Sequence, residues 1–232
     1  MRNSWKRVWQ TRATDKEITD LSELIKLNGW DSPTGDFSVV NWLSYIEHVS
    51  QHVGIQKDDT IFEVGCGSGA FLYPFYQQEH EIAGVDYSET LISIAKRVMP
   101  KGIFSVMEAI EIVTKNKYDI VLSNGVFFYF PDLSYAKTVL NKMLKIAGRK
   151  VAVLEVNDET KKDTWLKNRI SALGKKEYRK KYKGLDHLFF TKEFFETLAE
   201  ENAWAVKFVN TPGNIYPAAE YRFGAIFNRN NG

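Results

Sequence analysis

Ile61-Phe62-Glu63-Val64-Gly65-Cys66-Gly67-Ser68-Gly69 is the stretch on which the fold turns. A short buried strand runs here into three alternate glycines. Glycine lets the backbone turn sharply and leaves no Cβ where a ligand must lie close. A helix is predicted to open at Ala70 or Phe71. Its start offers free N–H groups and the positive end of a dipole. Pro74 falls in or just past the first turn, where proline costs least. Glu63 stands two positions before the first glycine. A carboxylate there gains nothing for a pyrophosphate, but it suits a cationic ligand.

Gly65, Gly67 and Ala70 also satisfy the dinucleotide pattern G-x-G-x-x-G/A. The next feature is common to both readings. Ile82-Ala83-Gly84-Val85-Asp86 is a second short apolar run that ends in an acid, 17 residues past Gly69. A carboxylate at the tip of a second strand can accept both ribose hydroxyls of an adenosine. Glu63, the glycines and Asp86 therefore define an adenosine-type cofactor site at the carboxyl ends of parallel strands. The plainer alternative is a βαβ turn with no ligand.

Outward from this point the pattern alternates. Strands are expected near 60–64, 82–86, 103–106, 119–123 and 150–156, with helices near 70–79, 88–98 and 134–147. Ser88 is placed to cap the second helix. Alternation of this kind means a parallel sheet covered on both faces. A helix from Lys192 to Glu201, capped by Thr191, is followed by strands from Trp204 to Val209 and Tyr221 to Asn228. The 11 residues between them include Pro212, Gly213 and Pro217, a loop long enough to shape a pocket.

Residues 1–58 read as an N-terminal helical cap or lid, and 59–232 as the main domain. Asp15 to Leu27 places Ile18, Leu21, Leu24 and Ile25 at helical spacing, ended by Gly29, Pro33 and Gly35. Val39 to Val53 reads as a second helix with Val39, Leu43, Ile46 and Val49 on one face. His48 and His52 stand four apart on it, but a metal site needs further ligands and none is expected. The aromatics Trp5, Trp9, Trp30, Phe37, Trp42 and Tyr45 could roof a ligand or cover a sheet edge.

The chain has 232 residues, a formal charge of +2 and an ordinary globular composition, so no nucleic-acid partner is expected. Cys66 is the only cysteine, which fits a reducing compartment. Met1 to Gln10 lacks an apolar signal region, and no run approaches the roughly 20 residues of a membrane span. A cytoplasmic location is expected. The biased segment lies near 157–190: between Lys161 and Lys183 there are ten Lys or Arg against Asp163 and Glu177. It reads as a solvated helical insertion, or as a basic wall facing a phosphate-bearing substrate.

These residues carry a resemblance. Glu63-Val64-Gly65-Cys66-Gly67-Ser68-Gly69 resembles the first motif, acid-x-G-x-G-x-G, of the class I S-adenosylmethionine-dependent methyltransferases. Gly84-Val85-Asp86-Tyr87-Ser88 is similar to their second motif, and Tyr118 to Asn124 to their fourth strand. The ending Tyr221-Arg222-Phe223 and the run Gly184 to Phe190 resemble a subgroup of small bacterial methyltransferases acting on sugars or other small metabolites. The resemblance implies a Rossmann-like α/β fold: a seven-stranded, mostly parallel sheet with an antiparallel last strand and helices on both faces. It implies S-adenosylmethionine as cofactor. Gly65, Cys66, Gly67 and Gly69 would pass under it, and Glu63 would lie near its amino group. Asp86 would hold the ribose. Tyr87 and Ser88 would flank the adenine, with Glu108 and Ala109 at its amine, and Asn124 and Gly125 would meet it through backbone groups. Glu108 stands where the family usually has Asp. Asn124-Gly125-Val126-Phe127 lacks the Asn/Asp-Pro-Pro-aromatic run of nucleobase N-methylating relatives.

The expected reaction is methyl transfer to a small-molecule acceptor, at a hydroxyl, with His187, Tyr129 and Tyr221 as candidate catalytic residues and Asn157 and Tyr216 as further candidates. His187 leads because an imidazole pKa suits a general base. Two other readings stay open: a nicotinamide-dependent oxidoreductase, against which Glu63 and the antiparallel last strand count, and a non-catalytic cofactor-binding module.

Overall fold

The computed structural model describes residues 4–12, 18, 20–32, 35–113, 115 and 117–229. Helices α1 (Ser4–Gln10), α2 (Leu21–Leu27) and α3 (Val39–Val53) precede the main sheet, with a two-stranded ribbon of β1 (Asp31–Ser32) and β2 (Gly35–Asp36) between the last two. Seven strands follow: β3 (Ile61–Val64), β4 (Ile82–Asp86), β5 (Ile103–Val106), β6 (Tyr118–Asn124), β7 (Ala147–Asn157), β8 (Trp204–Val209) and β9 (Arg222–Arg229). Their order is β5-β4-β3-β6-β7-β9-β8. β9 is antiparallel to both its neighbours and all other pairs are parallel, so the last strand alone is reversed. The expected fold class is the observed one.

The alternating strands bury both faces. One face packs Ile61, Ile120, Leu122 and Ile226 under α2, α3 and α5 (Glu89–Val98). The other packs Phe62, Val121, Val153 and Phe227 under α6 (Leu133–Ile146) and α9 (Lys192–Glu201). The caps follow side-chain chemistry. Ser88 Oγ accepts from Leu91 N, Asp132 Oδ1 from Tyr135 N and Thr191 Oγ1 from Phe194 N, satisfying amides that a helix start leaves free.

Three expectations change. The helix after the glycines is α4 (Tyr73–Gln77), shorter than 70–79. Pro74 has no N–H for the Ala70 carbonyl four residues back, and that carbonyl takes Trp42 Nε1–H instead, at 3.1 Å. On α3 the inward face is Trp42, Tyr45, Ile46, Val49 and Val53, while Leu43 is 44% exposed; the two large rings claim the core side and rotate Leu43 out. The expected helix from Asp15 is seen from Leu21, capped by Asp20, while residues 15–17, 19 and Pro33 lie outside the described residues. Among the described residues no helix is long and apolar enough to cross a membrane.

After β7 the chain forms α7 (Lys162–Leu173) and α8 (Lys175–Lys181) and returns at Phe190, which bridges Asp158 in parallel. The basic segment therefore leaves from the carboxyl edge of the sheet, the edge that carries Gly67 and Asp86. Lys175, Lys176, Lys180 and Lys181 are exposed.

Candidate active site

The loop after β3 is pinned to β4. Gly65 N–H and Cys66 N–H both donate to the Val85 carbonyl, at 2.7 and 3.0 Å. Gly65, Gly67 and Gly69 take φ of +76°, +54° and +84°, the left-handed region that side chains disfavour. A Cβ on Gly65 would lie 2.6 Å from Val126, and one on Gly67 would lie 2.4 Å from Asn28 Oδ1. The alternate glycines are thus required both by backbone conformation and by close neighbours.

Two carboxylates face this loop. Glu63 is 1% exposed and its Oε2 is buried without a hydrogen-bond partner. Burial, then the nearby Asp86, holds its pKa well above the ordinary carboxylate value. Asp86 accepts from Gly67 N–H at 3.0 Å and from Ser88 N–H at 2.8 Å. Burial nevertheless pushes it up to about 6. An unpartnered buried carboxylate oxygen is costly unless a donor or cation meets it. A ligand with an ammonium group near Glu63 and a diol near Asp86 fits this pair.

The remaining expected cofactor residues lie along the same edge. Asn124 ends β6, and its Oδ1 accepts from Tyr45 OH at 2.6 Å. Gly125 has φ +68° and donates its N–H to the Leu154 carbonyl at 3.1 Å. Cys66 is fully buried, and burial pushes its thiol pKa up. Ser88 caps α5, and Ala109 is buried in the short helical turn after β5. Glu108 pairs with Lys6 of α1, whose ammonium also lies 5.6 Å from the Tyr87 ring centroid. Tyr87 and Glu108, expected to flank the adenine, are therefore already in contact with α1.

Described residues of the N-terminal segment touch this edge at several points. Asn28 Oδ1 accepts from Ser68 N and Ser68 Oγ, both at 2.8 Å, and its Nδ2 donates to the Cys66 carbonyl. Trp30 lies over Gly125, where an added Cβ would sit 3.5 Å from its ring. Trp9 packs on Tyr129 at 5.3 Å between centroids.

The three catalytic candidates do not converge equally. His187 is enclosed by Trp5 at 4.6 Å, Phe128 at 5.4 Å, Tyr129 at 5.5 Å and Trp165 at 5.5 Å. Burial, then the charges of Arg169 and Arg222, pushes its pKa down to about 3. Burial pushes Tyr129 up to about 12. Tyr221 stands apart, accepting from Asn168 Nδ2 at 2.7 Å. Asn157 and Tyr216, by contrast, carry buried side-chain oxygens without partners.

Two residues at this edge escaped the sequence reading. Asn28 is one, and nothing local marks it. Glu155 is the other. It is 3% exposed and pairs with Arg222. Its signal was present: a single acid within the apolar run Val151 to Val156. Among the described residues no group of three or more His, Cys, Asp or Glu stands together as metal ligands. His48 Nε2 lies 3.2 Å from the Asn210 carbonyl.

Comparison with known proteins matches residues 55–203 to a family described as a methyltransferase domain. The chain is similar to an uncharacterized protein of Methanocaldococcus jannaschii, 33% identical over 119 residues, covering 47% of this chain and 31% of that one. It is also similar to the ubiquinone biosynthesis O-methyltransferase of Coxiella burnetii, 25% identical over 124 residues, covering 50% of this chain and 52% of that one. The chain thus spans about a third to a half of the length of these relatives. In fold it is similar to the magnesium protoporphyrin IX methyltransferase of Synechocystis PCC 6803 with bound S-adenosylhomocysteine, with a TM-score of 0.61 and 17% identity, over 98% of this chain and 95% of that one.

Proposed function

This chain belongs to the methyltransferase-domain family, and from that premise we propose that it moves a methyl group from S-adenosylmethionine to a hydroxyl of a small-molecule acceptor. The observation that carries the reading is Glu63: a buried carboxylate with an unpartnered oxygen, beside an alternate-glycine loop and across from Asp86. When bound, the cofactor supplies a sulfonium methyl, already a good electrophile with a neutral leaving group. Glu63 receives its ammonium, Asp86 its ribose diol, and the backbone at Asn124 and Gly125 borders its methionine end. Tyr87, Ser88, Glu108 and Ala109 border the adenine.

With such an electrophile the protein's main task is alignment, which supplies at most about 7–11 kcal/mol. Among the three candidates His187 is the proton acceptor, because its imidazole is neutral at physiological pH. Its depressed pKa makes it a weak base, so its share of catalysis is small. Tyr129, held protonated, donates rather than accepts. The exposed lysines of α8 draw anionic acceptors, including phosphate-bearing ones, to the carboxyl edge. Residues 1–58 act as a cap on the domain formed by 59–232, and the protein works in the cytoplasm.

Calorimetry with S-adenosylhomocysteine and with NADH tests the cofactor. Binding of the first and not the second is expected; the reverse would restore the nicotinamide reading. A metabolite screen for S-adenosylhomocysteine release then tests catalysis, and tight cofactor binding with no turnover on any acceptor would favour a non-catalytic module.

A further inference from the structure

Glu155 lies within the apolar run Val151-Ala152-Val153-Leu154-Glu155-Val156 of β7. In regular pairing it would share the face of Val153 and enter the apolar core under α6 and α9. The register avoids this. Val153 faces Ala225 and Val156 faces Phe223, so Leu154 and Glu155 together oppose Gly224. This is a β-bulge, and Glu155 sits in it at φ +60°. A non-glycine residue held there is strained, and bulges of this kind re-aim a side chain. The re-aimed carboxylate accepts from Thr211 Oγ1 at 3.0 Å and from Arg222 Nη1 at 3.3 Å.

Arg222 is the first residue of β9 and the register partner of Asn157. Its guanidinium carbon lies 4.9 Å from the Phe128 ring centroid and 6.0 Å from that of Trp30. Glu155 engages Nη1, whereas Nε is buried without a partner. Directly across, Asn157 Oδ1 is buried without a partner, as is the hydroxyl of Tyr216, whose ring packs 5.7 Å from Trp30. Of these, Arg222 Nε and the Tyr216 hydroxyl are donors left without an acceptor, a rare and costly state that a ligand oxygen would relieve. The edge is also continuous with the cofactor residues. Tyr45 packs against Trp30 and Tyr216 and donates to Asn124.

We propose that Arg222 is the specificity-determining residue for the methyl acceptor, seating an acceptor oxyanion on its Nε edge, with Glu155 as the positioning residue that holds the guanidinium. Tyr216 supplies a further donor. The oxyanion is a carboxylate or a phosphate, since the planar guanidinium fork matches both. Trp30 and Phe128 exclude water and strengthen the contact. This rests on the methyltransferase reading and deepens it.

The test is a panel of hydroxylated aromatics and sugars, each supplied as carboxylic acid, phosphate ester and neutral methyl ester. Turnover is read as S-adenosylhomocysteine formed. Wild type is expected to turn over the anionic members, and the acid and phosphate arms say which oxyanion it takes. Arg222→Gln should raise KM for these by about 30-fold or more while kcat changes little, the loss typical of one partner of a buried charged contact. Arg222→Lys should not rescue it, because a point charge lacks the fork. Glu155→Gln should show the same KM effect in weaker form. Affinity for S-adenosylhomocysteine should stay at the wild-type value in all three. Should Arg222→Gln fail to fold, the double variant Glu155→Gln/Arg222→Met removes the pair together and carries the same expectation. Equal turnover of neutral members, no turnover of any member, or a wild-type KM in these variants overturns the inference. Wild type that binds no S-adenosylhomocysteine overturns the methyltransferase reading itself, and the inference with it.

Discussion

Asn28 closes the glycine loop onto Ser68: its Oδ1 lies 2.8 Å from both the amide nitrogen and the hydroxyl oxygen of that residue. A helix-capping residue of the N-terminal segment thereby fills the place where Gly67 would otherwise carry a Cβ. Asn28→Ala should lower stability by about 1–3 kcal/mol, the range for losing buried hydrogen-bond partners. Chemical denaturation measures it, and an unchanged midpoint would mean that the segment does not latch the loop.

Gly67→Val meets two obstacles, the left-handed φ of +54° and the contact with Asn28 Oδ1. The strain alone costs about 1–2 kcal/mol. Cofactor binding should be lost outright. Calorimetry showing wild-type affinity for S-adenosylhomocysteine would mean that the loop approaches no ligand.

For Asp86 the sign with pH can be worked out. Its folded pKa, about 6, is raised above the ordinary 3.8. The folded state therefore holds the proton more tightly, and this group's contribution to stability is present at low pH and declines as pH rises through that window. A ribose diol needs the ionised form, so the cofactor Kd should rise about tenfold per pH unit below pH 6, the limit for one linked proton. Asp86→Asn should flatten the curve, and Asp86→Ala should weaken binding by about 1.5–3 kcal/mol. A flat wild-type curve would remove Asp86 from the ribose.

His187 shifts the other way. Its folded pKa, about 3, lies below the ordinary 6.5. Unfolded chains take up the proton first, so this stability is present above the ordinary value and lost as pH falls toward the folded one. His187→Phe should reduce that acid-side loss in denaturation curves. If His187 also accepts the substrate proton, the same variant lowers kcat by about tenfold, less than the roughly 10²-fold of a base matched to the operating pH; an unchanged kcat would assign it to packing alone.

Reversing the exposed Lys175, Lys176, Lys180 and Lys181 to Glu should raise KM for an anionic acceptor and leave cofactor affinity unchanged. The effect should shrink as salt rises, because exposed charges are screened beyond about 8 Å at physiological ionic strength. Four changes that each matter by less than about 0.5 kcal/mol would mark α8 as a solvated face.

Much of the fold is legible locally. β3 falls within the expected 60–64, β4 ends at its acid Asp86, Ser88 and Thr191 cap the helices they were expected to cap, and β8 spans Trp204–Val209 as read from the sequence. Leu43 and the helix at 70–79 were misread: Trp42 and Tyr45 take the core side of α3, and Pro74 has no N–H for the Ala70 carbonyl. Trp42 links the two, since its indole donates to that carbonyl from 28 residues away.

The reversed last strand was implied by the family resemblance; by itself the sequence determined the sheet and the glycine-rich edge from Glu63 through Gly69 to Asp86, where a cofactor is expected. These follow from strand periodicity, from glycine's freedom at positive φ and from residues that act within a few positions of one another. Only the tertiary structure decided what lies against that edge. Asn28 meets Ser68 across 40 residues, Lys6 meets Glu108 across 102, and Glu155 meets Arg222 across 67. The bulge that turns Glu155 out of the core depends on the register of β9 against β7. No local propensity encodes such a register; it is set where two distant strands satisfy their hydrogen bonds and bury their apolar faces together.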